Sequence, residues 1–249
     1  KGAEFITTPE YCGGLKTQGS AFTPPSAPEE SHPVLNGLRA FAKNKKKFFL
    51  IGSIAINGPD NKILNRSFVI DDKGNIISRY DKIHLFDVNL SERRSYRESA
   101  SVHGGNKAVI CQTPFAMMGQ TICYDLRFPN LYRELSQSGA EILFVPAAFT
   151  QKTGQAHWHV LNRARAIENG AFVVAPCAIG KVDGGGASYG HSLIINPWGE
   201  ILADGGDQVG VINAVINLDE VGIARQRIPS LRHDKSFGIT EGVELKAAQ

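Results

Sequence analysis

One cysteine stands where the sequence GQTICYDLRFP, residues 119–129, changes character. An apolar run typical of a strand precedes Cys123, and a helix-like run led by Pro129 follows it. A turn between a strand and a helix lifts a sulfur clear of the sheet, while backbone N–H groups and the helix dipole stabilise a thiolate. Cys123 is therefore a candidate nucleophile, and the alternative is a buried thiol that packs as a small hydrophobic group.

A thiol that attacks a carbonyl or nitrile carbon needs a base, and it needs a cation or N–H donors for the developing anion. Two upstream segments carry such groups. In TTPEYCGG, Glu10 follows a proline at the end of a strand-like run, and in YDKIHLFD, Lys82 and His84 follow a hairpin strand. Strand ends of an alternating α/β fold meet at one rim, where ligands usually bind. Glu10 and Lys82 are thus candidates for this chemistry, although each alone could be a surface charge.

The elements that position these groups can be predicted from short runs of β-branched and aromatic residues bounded by turn formers. The predicted strands are KFFLIGSIAI (47–56), RSFVID (66–71), NIISRYD (75–81), MGQTICY (118–124), AEILFVP (140–146), AFVVAPC (171–177), HSLIINP (191–197) and VINAVINL (211–218). The turn residues of DDKGN predict a hairpin between the second and third strands.

Helices are predicted between the strands, over residues 32–44, 129–138 and 155–169. The last of these has apolar residues at helical spacing, Val160, Ala164 and Ile167, and Gly170 stands where it should end. Continuously apolar strands that alternate with helices favour a buried sheet covered by helices.

The segments around Glu10, Lys82 and Cys123 resemble, in this order, those of the carbon-nitrogen hydrolase family, also called the nitrilase superfamily. The family motifs are a PE dipeptide after a strand, Y-x-K-x-H-L, and G-x-x-I-C-Y-D-x-R-F-P. The similarity continues through FVPAAFTQKTGQAHWHVLNRARAIENGAFVVA, ASYGHSLIINPWGEIL and RQRIPSLRHDKSF, and so covers nearly all of the chain. It implies an α/β fold, the α-β-β-α sandwich of the superfamily, and a homodimer or higher homo-oligomer built through helix-on-helix contacts.

The resemblance also implies a mechanism. Cys123 would attack an amide carbon and form a thioester with release of ammonia. Glu10 would serve as general base, first for the thiol and then for the hydrolytic water. The ammonium of Lys82 and the backbone N–H of Tyr124 would hold the oxyanion. Glu98, in SYRESAS, matches a second carboxylate of the family, for which an orienting or proton-handling role is expected.

The substrate pocket is expected to include Phe149 and Thr150, which follow the ILFVP run at a position that lines the pocket in the family, together with His157. Asp125 and Arg127 are predicted to form an ion pair that braces the cysteine turn. His157 and His159 are two residues apart on a helix and do not share a face, so no metal site and no cofactor are predicted.

The segments AHW, RARAIE, ASYGHS and NPWGE look most like the branch of the family that acts on deaminated glutathione or on ω-amides of 2-oxo dicarboxylic acids. A nitrilase or N-carbamoyl amidohydrolase is the near alternative. A catalytically silent binding or assembly protein is the more distant one. A papain-like protease is disfavoured because its local cysteine signature is absent.

Composition excludes several other classes of protein. Hydrophobic residues make up 42% of the chain and charged residues 20%, which is typical of a globular protein rather than a disordered one. A net charge of +3 is too small to indicate a nucleic-acid or membrane partner. No apolar stretch approaches the ~20 residues of a spanning helix. The scattered cysteines lack the spacings of a zinc site or a disulfide framework, which favours a cytoplasmic protein.

The expected domain organisation is a single carbon-nitrogen hydrolase domain over residues 1–249. Family members usually carry a further strand and helix before the PE segment. The chain is expected to lack that pair, because its first residues, KGAEF, already correspond to the end of the helix.

Overall fold

The computed structural model of the protein describes residues 2–91, 94–240 and 242. The strands, in chain order, are β1 (Phe5–Thr7), β2 (Thr17–Gln18), β3 (Ala21–Phe22), β4 (Ser26–Ala27), β5 (Phe48–Asn57), β6 (Ile63–Ile70), β7 (Ile76–Asp81), β8 (Asp87–Ser91), β9 (Arg94–Arg97), β10 (Val109–Gln112), β11 (Met117–Gln120), β12 (Ile142–Phe144), β13 (Phe172–Ala175), β14 (Ile179–Lys181), β15 (Ala187–Tyr189), β16 (Leu193–Ile195) and β17 (Ile201–Asp204). The helices are α1 (Pro33–Lys45), α2 (Pro129–Gln137), α3 (Gln151–Thr153), α4 (His159–Asn169) and α5 (Asp219–Arg227), and the π-helical segment Gly154–Trp158 joins α3 to α4.

Two sheets organise the molecule. The first has the strand order β1-β5-β6-β7, with β4 also paired to β5. The second has the order β10-β11-β12-β13-β16-β17. Its middle pairs, β11 with β12 and β12 with β13, are parallel, and the outer pairs are antiparallel. Parallel pairs need crossover connections, and α2 and α4 provide them.

Alternation along the strands decides which layer each side chain joins. In β5, Phe49 and Ile51 pack with Leu35 of α1. Leu50, between them, faces the other way and packs with Phe144 of the second sheet. β5 is therefore buried on both faces, which explains its continuous apolar sequence.

The second sheet repeats this arrangement in mirror order. Phe144 of β12 points into the space between the sheets. Its neighbour Leu143 packs outward with Leu131 of α2 and with Trp158 and Ala166 at α4. The layers are thus helix, sheet, sheet, helix, and the predicted α-β-β-α sandwich is confirmed.

The three predicted helices and the β6–β7 hairpin are present. α2 begins at Pro129, whose missing N–H would lack an intrahelical partner at the first position in any case. α4 ends at Gly170, which adopts φ +52° and donates its N–H to the carbonyl oxygens of Ala166 and Ile167. In the hairpin, the Asp71 carboxylate accepts the N–H groups of Lys73 and Asn75.

The predicted strand over 211–218 is wrong. The segment is extended, and Ile212, Ala214 and Ile216 lie half-buried against the core between the sheets. No backbone ladder forms along it within the described part of the chain. Side-chain alternation reports burial of one face, whereas a strand also needs a partner backbone, which no sequence pattern supplies.

The face of α4 that carries Val160 and Ile167 points outward, with 60% and 50% of these residues exposed. The helix buries the opposite side, where Asn162 and Ala166 lie. None of the helices among the described residues is long and apolar enough to cross a membrane.

Candidate active site

The loop after β1 carries Glu10 into the interior. This loop crosses β5 so closely at Gly52 that a Cβ there would lie 2.0 Å from the carbonyl oxygen of Thr8. Gly52 in turn donates its N–H to Thr8 Oγ1 over 3.1 Å. Tyr11, in the left-handed region with φ +49°, is held by its N–H bond to Ser53 Oγ. Only a glycine at position 52 leaves room for this crossing. Because the loop passes so close to β5, the Glu10 side chain is buried, with 4% of the residue exposed.

Lys82 follows the last residue of β7 and continues its pairing with β6 through an N–H bond to the carbonyl oxygen of Asn65. Its side chain is 2% exposed. The ammonium Nζ lies 2.9 Å from Glu10 Oε1 and 2.8 Å from Glu98 Oε2. A buried charge of this kind persists only where it is paired.

Glu98 begins a short 3-10 turn and is fully buried. Besides Lys82, its Oε2 accepts the N–H of Phe86 at 2.7 Å, and its Oε1 accepts the hydroxyl of Tyr11 at 3.3 Å. Both carboxylate oxygens of Glu98 therefore already accept hydrogen bonds from other groups of the protein. This arrangement suits a side chain that orients Lys82 better than one that exchanges protons with a substrate.

Asn65, in β6, links the two carboxylates and was not among the predicted site residues. Its Nδ2 donates to Glu10 Oε1 at 2.9 Å and to Glu98 Oε1 at 3.2 Å. The predicted strand began one residue later, so this amide fell outside it. A polar residue at an inward strand position was the available signal.

Cys123 begins a 3-10 turn, Cys123–Arg127, with φ +49°. The strand before it ends at Gln120 instead of running to residue 124 as predicted. The Cys123 N–H donates to the carbonyl oxygen of Pro146 at 2.9 Å. The next N–H, that of Tyr124, donates to no acceptor among the described residues.

The predicted ion pair between Asp125 and Arg127 is wrong. The Asp125 carboxylate is buried inside the turn, where Oδ1 contacts His84 Nδ1 at 2.7 Å and Oδ2 accepts the Tyr80 hydroxyl at 2.6 Å. It therefore ties the cysteine turn to the end of β7, beside Lys82.

Arg127 instead packs its guanidinium against two aromatic rings. Its guanidinium carbon is 5.9 Å from the centre of the Tyr124 ring and 5.3 Å from that of Phe149. Its nitrogens are 3.3 Å from His157 Nδ1. His157 and His159 contact different partners, Arg127 and Asp204, as expected for residues that do not share a helical face.

Burial and the charges of this cluster together determine the protonation of the thiol. Burial raises the pKa of Cys123, the Glu10 carboxylate raises it further, and Lys82 opposes this only in part, so the pKa lies well above its usual value. Burial lowers the pKa of Lys82, but Glu10 and Glu98 outweigh it and hold the pKa well above the ordinary range. At neutral pH, therefore, Cys123 is a neutral thiol and Lys82 is an ammonium.

These groups open into a cavity of about 550 Å³, counting the part that is open to solvent. Its lining includes Glu10, Lys82, Cys123, Tyr124, Phe149 and Thr150. His157 is exposed and is not among the lining residues. Glu98 lies behind Lys82. The structure thus brings the predicted residues together, with His157 outside the cavity.

This cavity can support covalent chemistry. The Glu10 carboxylate is held by the N–H of Ala148 on Oε2 at 2.9 Å, with Asn65 and Lys82 on Oε1. A fixed carboxylate next to a thiol can take its proton. An ammonium and a backbone N–H at the same position can stabilise an oxyanion.

The class of protein follows from comparison with known families. The family model described as carbon-nitrogen hydrolase matches residues 1–226. The chain belongs to the carbon-nitrogen hydrolase family, and it is a hydrolase of carboxamide C–N bonds. The predicted family, fold and enzyme class are confirmed.

Individual relatives point to one branch. The deaminated glutathione amidase of Synechocystis sp. is 39% identical over 241 residues, which cover 94% of this chain and 86% of that protein. The human omega-amidase NIT2 is 31% identical over 236 residues, or 95% and 84% of the two chains. The structure of the C. elegans NitFhit protein matches with a TM-score of 0.81 at 29% identity. That match covers 94% of this chain but only 57% of the worm chain.

Proposed function

We propose that this hydrolase cleaves a small linear carboxamide that carries a carboxylate at its far end, as deaminated glutathione and the ω-amides of 2-oxo dicarboxylic acids do. The observation that carries the proposal is the buried cluster of Cys123, Glu10 and Lys82 at the cavity. The products are a carboxylic acid and either ammonia, from a primary amide, or the corresponding amine.

In the first half of the reaction, Cys123 transfers its proton to Glu10 as the sulfur attacks the amide carbon. The carbonyl electrons move to oxygen. As the tetrahedral intermediate collapses, the proton on Glu10 passes to the nitrogen, the C–N bond breaks, and a thioester remains. Glu10 is suited to this role because Asn65 and Lys82 hold its Oε1 and the Ala148 N–H holds its Oε2, which fixes the carboxylate.

The oxyanion is held by Lys82 and by the backbone N–H of Tyr124. An ammonium has three N–H donors. Glu10 accepts one, and the two Glu98 oxygens, 2.8 and 3.1 Å from Nζ, can share a second, which leaves the third for the substrate oxygen. In the second half, Glu10 deprotonates a water, which attacks the thioester and releases the acid and the free thiol.

Arg127 is the candidate partner for the far carboxylate. The cluster of Lys82 with two glutamates repels an anion, so a carboxylate must bind elsewhere. The Arg127 guanidinium lies against Tyr124 and Phe149, which line the cavity, and its nitrogens are 3.3 Å from His157 Nδ1 rather than paired with a carboxylate. A bidentate pair with a carboxylate is the strongest bond it can form there.

The test is turnover of a substrate panel that includes ω-amides of 2-oxo dicarboxylic acids, deaminated glutathione, short neutral amides, nitriles and N-carbamoyl amino acids. Ammonia and the acid product are both quantified, with Cys123→Ala as the control. We expect the carboxylate-bearing amides to be favoured. Preference for a nitrile or N-carbamoyl compound would replace the substrate proposal, and no turnover of any member would favour the silent binding protein.

We also propose that two copies associate through α4 as a homodimer. Val160 and Ile167 lie seven residues apart on one face of α4, and both are at least half exposed. Trp198, 52% exposed, lies on the neighbouring β16–β17 turn. Analytical ultracentrifugation of the wild type and of Ile167→Glu tests this. A dimer that the charge dissociates is expected, whereas an unaffected sedimentation coefficient would rule out this face.

A further inference from the structure

Three side chains from separate parts of the chain meet near Trp158, whose Nε1 donates to the His191 carbonyl oxygen. His159 begins α4, His191 lies between β15 and β16, and Asp204 ends β17. His159 Nε2 is 3.0 Å from Asp204 Oδ2, and His191 Nδ1 is 2.9 Å from Asp204 Oδ1. The nitrogens and the carboxylate oxygen all lie within 4.8 Å of one another.

The backbone holds this cluster in place. His191 adopts φ +53°, a left-handed conformation that is uncommon for a non-glycine residue. Its N–H donates to the carbonyl oxygen of Gly206 at 2.7 Å, and its own carbonyl accepts Trp158 Nε1 at 2.7 Å. The Tyr189 ring stacks on the His191 ring with centroids 4.6 Å apart. The ligand geometry therefore exists before anything binds.

The donor set also suits a cation, because imidazole nitrogens and a carboxylate oxygen are ligand types that divalent transition-metal ions take.

We propose that His159, His191 and Asp204 form a binding site for a divalent transition-metal ion. Zn²⁺ fits best, because it takes imidazole nitrogen and carboxylate oxygen at ~2.0–2.2 Å in tetrahedral geometry. At those bond lengths, neighbouring ligand atoms are about 3.3 Å apart. On the shared oxygen, Asp204 Oδ2, the present contacts of 3.0 Å to His159 Nε2 and 3.1 Å to His191 Nδ1 need to open by only a few tenths of an ångström.

The ion would fasten the start of α4 to the β16–β17 hairpin, and water would occupy its fourth position. Trp158 is hydrogen-bonded to the His191 carbonyl oxygen, and the centre of its ring lies 5.0 Å from that of Phe149, which lines the cavity. The site is therefore a support for that wall. The hydrolytic steps proposed above do not pass through it, so the two proposals can fail separately.

The test measures metal binding directly, after dialysis against a chelator. Because the Cys123 thiol would itself bind Zn²⁺, titrations use Cys123→Ala alongside the wild type. Calorimetry with Zn²⁺ gives stoichiometry and affinity, and the visible absorption of Co²⁺ reports tetrahedral nitrogen and oxygen coordination. His159→Gln and Asp204→Asn remove ligands. His157→Gln and Asp207→Asn, at exposed positions nearby, are the matched controls for metal binding.

We expect one ion per chain. The affinity for Zn²⁺ should fall more than about tenfold in His159→Gln and Asp204→Asn, because losing even a residue that only orients a ligand typically weakens metal binding at least tenfold. The controls should bind as the parent does. Zn²⁺ should also raise the melting temperature of the parent and the controls only. Absent binding in Cys123→Ala, or equal binding in all folded variants, would overturn the proposal and leave a cluster of hydrogen bonds without an ion.

Discussion

Lys82 and Glu98 form a fully buried ion pair in which Nζ lies 2.8 Å from Oε2 and 3.1 Å from Oε1. Glu10 binds the same ammonium, so two carboxylates share one cation. Burial, together with this excess of negative charge, raises the pKa of the Cys123 thiol and keeps it protonated. It also explains why the cysteine needs an adjacent base, whereas a cysteine at a positively charged position is already a thiolate.

Replacing Glu98 with glutamine tests the orienting role. Lys82 would lose one of its two carboxylate partners and the hydrogen bonds that direct its free N–H at the substrate. We expect kcat to fall about 10–100-fold, or about 1.4–2.7 kcal/mol of barrier, with a smaller change in KM. Steady-state kinetics measure this, with circular dichroism as the check on folding.

The control for that experiment is Glu30→Gln, which neutralises an exposed carboxylate and should leave kcat unchanged. Glu98→Asp keeps the charge but shortens its reach, so it should recover only part of the rate. A folded Glu98→Gln enzyme with wild-type kcat would contradict the role assigned to this residue.

Glu10→Gln should change two properties in opposite directions: amide hydrolysis, which needs Glu10 as general base, and the reactivity of the Cys123 thiol, whose pKa the Glu10 charge raises. Without the general base, kcat/KM for amides is expected to fall about 10²–10⁴-fold. The Glu10 charge raises the pKa of Cys123 and Lys82 lowers it, so removing Glu10 should lower the thiol pKa. The variant should thus react faster with iodoacetamide near neutral pH while hydrolysing amides more slowly.

The measurement is the pH dependence of alkylation, with the modified cysteine identified by mass spectrometry. Cys123→Ala shows the background from the other thiols, among which Cys177 has a pKa raised to about 12 by burial. An unchanged or higher thiol pKa in Glu10→Gln would show that Glu10 does not set the charge at the sulfur.

Arg127→Gln tests recognition of the far carboxylate. A hydrogen bond to a charged group is worth about 1.5–3 kcal/mol, so KM for carboxylate-bearing amides should rise roughly 10–100-fold. Turnover of a short neutral amide should be unaffected, which distinguishes lost recognition from a damaged site. The control is Arg133→Gln, which removes an arginine of α2 that is paired with Asp234. Equal losses on neutral and charged amides would argue against the assignment.

Acid stability is expected to depend on Glu29. Partial burial raises its pKa, but Arg79 and Arg66 outweigh burial and hold the pKa below the ordinary value. A folded-state pKa below the unfolded one stabilises the fold at pH values above the unfolded pKa, about 4.3 for glutamate. That stabilisation is lost as the pH falls through the folded-state pKa.

Glu29→Gln should therefore lower the free energy of unfolding by about 1 kcal/mol at pH 7. The difference from wild type should shrink below about pH 4.3. Urea unfolding at pH 7 and at lower pH measures it, with Glu30→Gln as the exposed control. A deficit that is the same at every pH would mean that the ion pairs are not its source.

Much of the fold could be predicted because its signals are local. Continuous apolar runs located β5 and β12, and a proline and a glycine located the ends of α2 and α4. The segment over 211–218 shows the limit. Its alternation correctly predicts one buried face, but whether a strand forms depends on a neighbouring backbone.

The same limit applies to α4. The apolar spacing of Val160 and Ile167 predicts a helix with an apolar face, yet that face points outward. The buried side includes Asn162, which a search for apolar residues passes over. Periodicity shows that a face exists, and only the packed structure shows what that face meets.

The sequence by itself determined the family, the α-β-β-α class and the chemical types in the candidate site, because motif order and turn chemistry are properties of short segments. Tertiary structure decided the partners. Asn65 bonds two glutamates, and Asp125 contacts His84 instead of Arg127. His159, His191 and Asp204 also lie together only in the folded chain. Such contacts join side chains far apart in the chain, so they depend on how layers pack and which atoms are buried together, which no local pattern records.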